Sequence, residues 1–270
     1  MAASIVAITS GKGGVGKTAV TANLAIALGR LGRRVTVLDA DMGLANLDVA
    51  LGLVPKRTLE HFFHGSIDLG EIVIEGPAGI RLIPGGSGIP ELTALATGEL
   101  LRFVDALARV REECDLLLID TAAGIGDQVS RMVSLADRVL LVTWPDPTAL
   151  VDAYAALKVS RRRRPDQNVG LVVNGVEDEA EASRVHARLT AAATRFLGQG
   201  VDLDGFIARD EALQSATRRQ LSVVISNPLS PSSRCFERLA LTLTAQLHGQ
   251  AGGCVGERCA SASRAEETMH

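Results

Sequence analysis

The residues best equipped for chemistry lie in one run, Ser10-Gly11-Lys12-Gly13-Gly14-Val15-Gly16-Lys17-Thr18. From Gly11 to Thr18 it matches G-x-x-x-x-G-K-[ST], and it sits directly after an apolar run and directly before a helical pattern. Glycines let backbone N–H groups turn inward around phosphate oxygens, and the helix that follows presents the positive end of its dipole. Gly11, Gly13, Gly14, Val15, Gly16, Lys17 and Thr18 therefore form the candidate binding set for a nucleotide polyphosphate. Lys17 supplies a point charge to the β and γ phosphates, and Thr18 offers a hydroxyl to Mg²⁺.

Carboxylates follow in the right places. Val37-Leu38-Asp39-Ala40-Asp41 ends a strand pattern with two acids where Mg²⁺ and an attacking water would sit, although a strand-end Asp also serves as a helix or turn cap. Leu116-Leu117-Leu118-Ile119-Asp120 is an apolar run that ends in one acid, an arrangement that delivers a carboxylate to a metal's outer shell. Asn174 closes the run Val172-Val173 and reads either as a base-recognising amide or as a turn former.

Elements of one kind must hold these groups. Strand patterns cover Ser4 to Thr9, Arg34 to Asp39, Ile80 to Pro84, Leu116 to Asp120, Arg138 to Thr143, Val169 to Asn174 and Gly205 to Ala208, with Val223 and Val224 as a weak last member. Helical patterns cover Thr18 to Leu31, Pro90 to Glu112, Asp127 to Leu135, Thr148 to Arg163, Glu179 to Leu197, Glu211 to Arg219 and Ser232 to Leu247. Their alternation predicts a doubly wound α/β fold with a mainly parallel sheet of seven or eight strands and helices on both faces. Residues 1–248 form one domain, and the small, polar segment 249–270 is expected to be a disordered tail.

Composition narrows the classes. The 270 residues are 47% hydrophobic, which rules out wholesale disorder, and 28 basic against 31 acidic side chains give a net charge of -3, so no global field draws the chain to nucleic acid or lipid. One Trp, one Tyr and six Phe leave little for base-stacking platforms. Neither a signal segment nor a long apolar run is visible, and four scattered cysteines make no disulfide framework, so a cytoplasmic location is expected. Cys254 and Cys259 lack metal-ligand spacing, Cys114 and Cys235 read as small buried residues, and His61, His64 and His186 form no recognisable metal set.

Lys12 is a second lysine inside the glycine loop, and the form Lys12-Gly13-Gly14-Val15-Gly16-Lys17-Thr18 resembles the deviant Walker A motif of the MinD/ParA family of P-loop ATPases. The resemblance implies ATP and Mg²⁺ as ligands, slow ATP hydrolysis and an ATP-dependent homodimer in which Lys12 reaches the partner's nucleotide. It gives Asp39 and Asp120 to the Mg²⁺ shell with Thr18, Asp41 to the attacking water, the turn Thr121 to Gly124 to a γ-phosphate sensor, and Asn174 to the adenine ring. Catalysis would then rest on Lys12, Lys17 and Asp41. Read from the residues alone, Lys12 is a solvated loop lysine.

Asn46 to Leu53, Glu75-Gly76-Pro77, Ile83 to Gly88, Asp120 to Ile125 and Trp144 to Lys158 resemble the flagellar-number regulators of the FlhG/FleN branch. Departures are Ala122 for a usual glycine, Trp144 for a usual threonine and Ala208 for a usual proline. Asp146 and Asp152 fall where MinD-like proteins have dimer-face and nucleotide-loop residues, or cap helices. The branch implies flagellar regulators or an FlhF-like GTPase as partners. Its members commonly carry an N-terminal extension, whereas here the first strand starts near Ser4. Membrane attachment follows from kinship alone, because the stripe Phe236, Leu239, Ala240, Leu243 and Leu247 reads as a core-packing face. Arg161, Arg162, Arg163 and Arg164 read as a helix C-terminus complementing the dipole, or as a contact for DNA phosphates or anionic lipid. Alternatives in the same chemistry are a MinD-type division-site ATPase and a ParA-type partitioning ATPase; an iron–sulfur relative would need paired cysteines that Cys114 alone does not supply.

Overall fold

The computed structural model describes residues 3–41, 45–65, 67–86 and 97–262, with residues 248–262 described by their backbone. The central strands are apolar along their length because both faces are covered. They are β1 (Ser4–Ser10), β2 (Val35–Ala40), β3 (Ile74–Glu75), β4 (Arg81–Ile83), β5 (Leu116–Ala123), β6 (Arg138–Thr143), β7 (Asn168–Val176) and β8 (Asp202–Ala208). They form one sheet in the order β3-β4-β2-β5-β1-β6-β7-β8, parallel throughout except for β3 against β4. β1 lies centrally, between β5 and β6, so the loop that follows it opens at the middle of the sheet's C-terminal edge.

The helices are α1 (Lys17–Arg30), α2 (Leu47–Leu51), α3 (Leu59–Phe63), α4 (Thr97–Glu112), α5 (Asp127–Ser134), α6 (Pro147–Arg163), α7 (Glu179–Leu197), α8 (Glu211–Arg218), α9 (Val223–Ser226) and α10 (Pro231–Ala262). Successive strand residues face opposite sides, so Val6 and Ile8 join one buried cluster and Ala7 the other. The first cluster packs Leu24, Leu28, Val223 and Phe236 from α1, α9 and α10. The second packs Phe62, Phe103, Met132, Leu157 and Leu189 from α3 to α7. Helix α1 is buried on nearly every side because the sheet covers one flank and α10 another.

Two expectations are corrected. Val223 and Val224 form the helix α9, not a strand: Ser222 caps it by accepting from Val224 N–H, Asn23 of α1 accepts from Val223 N–H, and both valines are buried against α1. The eighth strand is β3, whose two residues are too few to show alternation. The backbone of α10 runs to Ala262, past the expected domain boundary at residue 248. Residues 263–270 lie outside the described residues, as do residues 90–96 of the expected helical pattern Pro90 to Glu112. The stripe Phe236, Leu239, Ala240 and Leu243 is fully buried in the core, with Leu247 packed beside it, so this face of α10 is not available to a membrane.

A buried ion pair ties the far side together. Arg138 of β6 donates from Nε and Nη2 to Asp204 of β8 at 3.1 and 2.5 Å, and Gln246 of α10 donates to the same carboxylate at 3.1 Å. Both charged groups are nearly inaccessible, so removal of one leaves the other uncompensated. Asp204→Ala is expected to destabilise the protein by about 3–5 kcal/mol in urea unfolding, whereas a change below about 1 kcal/mol would show that the pair is not a fixture of the core.

Candidate functional site

The glycine loop occupies the bend from β1 into α1 and is fastened on both sides. Toward α6, a Cβ on Gly11 would stand 2.0 Å from the Asp152 carbonyl oxygen, so only glycine permits this approach. Toward β7, Asn174 donates from Nδ2 to the Val15 carbonyl at 2.8 Å. Gly16 has φ +85°, the left-handed region, and a Cβ there would meet the same amide nitrogen at 2.3 Å.

Inside the loop, the Lys17 ammonium donates to Asp120 Oδ1 at 2.9 Å, and both groups are buried. Thr21, one helical turn beyond Lys17, donates to the same oxygen at 2.9 Å. Thr21 escaped the sequence reading, although its i+4 spacing from Lys17 places both on one helix face. Thr18 is half-buried at the helix start.

Asp39 and Asp120 are register partners on adjacent strands, each about 1% exposed. Asp39 accepts from Asp41 N–H at 3.2 Å, Asn46 N–H at 3.1 Å and Leu47 N–H at 2.9 Å, so it anchors the start of α2. Burial, and then the neighbouring Asp120 carboxylate, push its carboxyl up to about 7 against the pull of those N–H groups and Lys17. Two buried acids facing one lysine leave negative charge that a divalent cation can compensate. Among the described residues no three His, Cys, Asp or Glu side chains converge on one point. A cation here would thus share Thr18, Asp39 and Asp120 with oxygens from outside the protein, the donor set that suits Mg²⁺ carried in by a polyphosphate. Asp41 lies half-buried just beyond β2, while Met42, Gly43 and Leu44 of the same stretch lie outside the described residues, as do Ser87 and Gly88.

The expected turn at Thr121 to Gly124 begins later. β5 continues through Ala123, Thr121 donates to the Ile8 carbonyl at 3.1 Å, and the chain turns at Gly124, whose N–H bonds the Ser10 carbonyl. Lys12 is exposed and does not enter the pocket that holds Lys17. Its ammonium donates to Thr148 Oγ1 at 2.7 Å, and that hydroxyl donates to Asp146. Asp146 caps α6 through Thr148 and Ala149 N–H groups, and these bonds, the Thr148 hydroxyl first, hold its carboxyl below the usual range.

The remaining candidates scatter. Arg161 donates to the Gln199 and Gly200 carbonyls, Arg163 pairs with Asp127, and Arg164 donates to the Ala136 carbonyl. Three of the four arginines thus serve the fold. Cys114 is buried and Cys235 half-buried; His186 contacts the Val201 carbonyl and Thr190, and His64 the Glu60 carbonyl. Among the described residues no helix is long and apolar enough to cross a membrane.

The family described as CobQ/CobB/MinD/ParA nucleotide binding domain matches residues 6–223, a span that starts in β1 and includes the loop, Asp39, Asp120 and Asn174. The chain belongs to this family. It is 40% identical to the antiactivator FleN of Pseudomonas aeruginosa over 236 residues, 87% of this chain and 84% of FleN. It is 41% identical to the flagellum site-determining protein YlxH of Helicobacter pylori over 185 residues, 68% of this chain, and spans 62% of YlxH. The septum site-determining protein MinD of Pyrococcus horikoshii, solved as a complex with Mg-ADP, superimposes with a TM-score of 0.71 at 25% identity, covering 88% of this chain and 94% of that one. Membership makes the chain a nucleotide-binding domain, and the eight-stranded sheet is the family's fold.

Asp39 also predicts a pH dependence. Its folded pKa of about 7 lies above the value near 4 of an unfolded Asp, so the unfolded chain releases this proton first and stability falls as pH rises from about 4 to about 7, then levels. Urea unfolding of ligand-free protein at pH 5 and pH 8 should show this decline in the wild type and a much smaller one in Asp39→Asn. Equal declines would contradict the assignment.

Proposed function

We propose that this protein is an ATP-dependent, dimerising ATPase that acts as a switch in setting flagellar placement or number. The observation that carries the reading is the split between the two lysines of one glycine loop. Lys17 is buried against Asp120, where it would serve its own subunit's phosphates, while Lys12 stands exposed in the loop and bonded to Thr148 of α6, from which a second subunit's nucleotide would draw it away. The flagellar task is supported by the likeness to FleN over most of both chains and to YlxH.

ATP would lie along the loop with its phosphates against the backbone N–H groups from Gly13 to Thr18. Lys17 would then be shared between Asp120 and the β and γ phosphates, with Thr21 keeping hold of the carboxylate. Mg²⁺, held by Thr18, Asp39 and Asp120, would neutralise charge on the phosphate oxygens. Asp41, on the segment that Asp39 anchors, would orient the attacking water, and Asn174 would face the adenine ring. Lys12 would leave Thr148 and stabilise charge across the dimer, a role like that of an arginine finger. Loss of the γ-phosphate removes the group that both lysines address, so hydrolysis releases the dimer.

Flagellar regulators, an FlhF-like GTPase among them, are the partners this reading carries. A ParA-type reading through Arg161 to Arg164 has less support, because three of these side chains are bonded within the protein. A MinD-type division-site role shares the chemistry and differs in partners.

Light scattering tests the switch. Wild type and Asp41→Ala should be dimeric with Mg-ATP, wild type monomeric with Mg-ADP, and only Asp41→Ala should keep its dimer over time; two proteins that stay monomeric with ATP would refute the proposal. Lys12→Ala should bind ATP as a monomer, fail to pair, and lose turnover on the order of a hundredfold. Unchanged turnover would remove Lys12 from the mechanism.

A further inference from the structure

Asn174 is assigned above to the base, yet that role leaves its clearest bond unexplained. Its Nδ2 donates 2.8 Å to the carbonyl of Val15, in the middle of the phosphate loop, and the side chain is buried. The Val15–Gly16 peptide is trans, since the described chain has no cis peptide, so its C=O and N–H point to opposite sides. With the carbonyl held toward β7, the Gly16 N–H points away from β7, toward the open side of the loop where a phosphate would bind.

The chain has built a support behind this amide. After Asn174 the strand slips register against β8, and Gly175 takes φ +73°. A Cβ on Gly175 would stand 2.3 Å from Trp144 Cη2 and 2.5 Å from Cζ3, so the indole ring lies flat against the glycine. A bulge of this kind re-aims the neighbouring side chain. Trp144 follows β6 and is half-buried against the core cluster that contains Val15, so it braces the β7 end that carries Asn174.

We propose that Asn174 is a positioning residue for the phosphate loop, fixing the Val15–Gly16 peptide so that the Gly16 N–H addresses bound phosphate, with Trp144 as its brace through Gly175. An Asn amide has two N–H donors and a carbonyl, so one donor on Val15 leaves the other donor and the oxygen for a base. The inference rests on the nucleotide-binding reading of the loop and adds that Asn174 acts on the triphosphate even when no base is present.

The test separates base from phosphate. Calorimetric titration of the full chain with Mg-ATP and with magnesium tripolyphosphate is compared between wild type and Asn174→Ala, with circular dichroism as a check of the ligand-free fold. The expected result is a loss of about tenfold in affinity for both ligands. A loss for ATP with tripolyphosphate unchanged would confine Asn174 to the base and overturn the proposal, and so would no loss for either. Should Asn174→Ala fail to fold, the wild type decides. Trp144 is the chain's one tryptophan, and its emission is expected to shift on saturation with tripolyphosphate; an unchanged spectrum overturns the brace and the positioning role together. Wild type that binds neither ligand would instead refute the nucleotide reading from which the inference starts.

Discussion

A buried lysine beside two buried acids governs this molecule. Lys17 sits against Asp120 at 2.9 Å, and Asp39 is the strand partner of Asp120, so three ionisable groups meet where the sheet is driest. Burial, and then repulsion from the Asp120 carboxylate that one ammonium does not offset, push the Asp39 carboxyl up to about 7. The parallel sheet makes this arrangement possible, because β1, β2 and β5 all end at the same edge and deliver loop, Asp39 and Asp120 side by side.

The same charges reach outward. Asp39 accepts the Asn46 and Leu47 N–H groups, so the same carboxylate also holds the start of α2. Asp120 is held by Thr21 as well as Lys17, which keeps it in place if Lys17 turns to a phosphate. The loop itself hangs between two supports, Asp152 in the second turn of α6 under Gly11 and Asn174 of β7 at Val15. Lys12 alone stands outside this frame. Its bond to the exposed Thr148 hydroxyl is a contact that an anionic partner can replace, so one loop carries a buried lysine and an exposed one.

Much of this was legible in the sequence, for physical reasons. Strands buried on both faces read as apolar runs, so β1, β2, β6 and β7 were found within a residue or two, β5 was found but ends three residues later than expected, and α7 has its expected ends. The acids at strand ends stand out only together with the glycine loop, because an apolar strand often ends in an Asp that serves as a helix or turn cap. What stayed hidden depends on contacts far apart in the chain. Thr21 matters only because Asp120 lies 99 residues away, and Thr148 only because Lys12 reaches it across 136. The pair Val223-Val224 has strand-forming residues, but Asn23 and Ser222 cap it into a helix. Trp144, noted only as a departure from the family's threonine, gains a role once Gly175 is seen against its ring.

The central claim is that two lysines of one loop serve two different subunits. Mixing Lys12→Ala subunits with Lys17→Ala subunits tests it most directly. Each variant alone should hydrolyse ATP negligibly, the first for want of a partner's lysine and the second for want of its own. In a mixed dimer, ATP bound by the Lys12→Ala subunit keeps its Lys17 and receives Lys12 from its neighbour, so one complete site forms. The account predicts that turnover reappears on mixing and rises with the proportion of mixed dimer; a mixture as inactive as its components, although mixed dimers form, would contradict it.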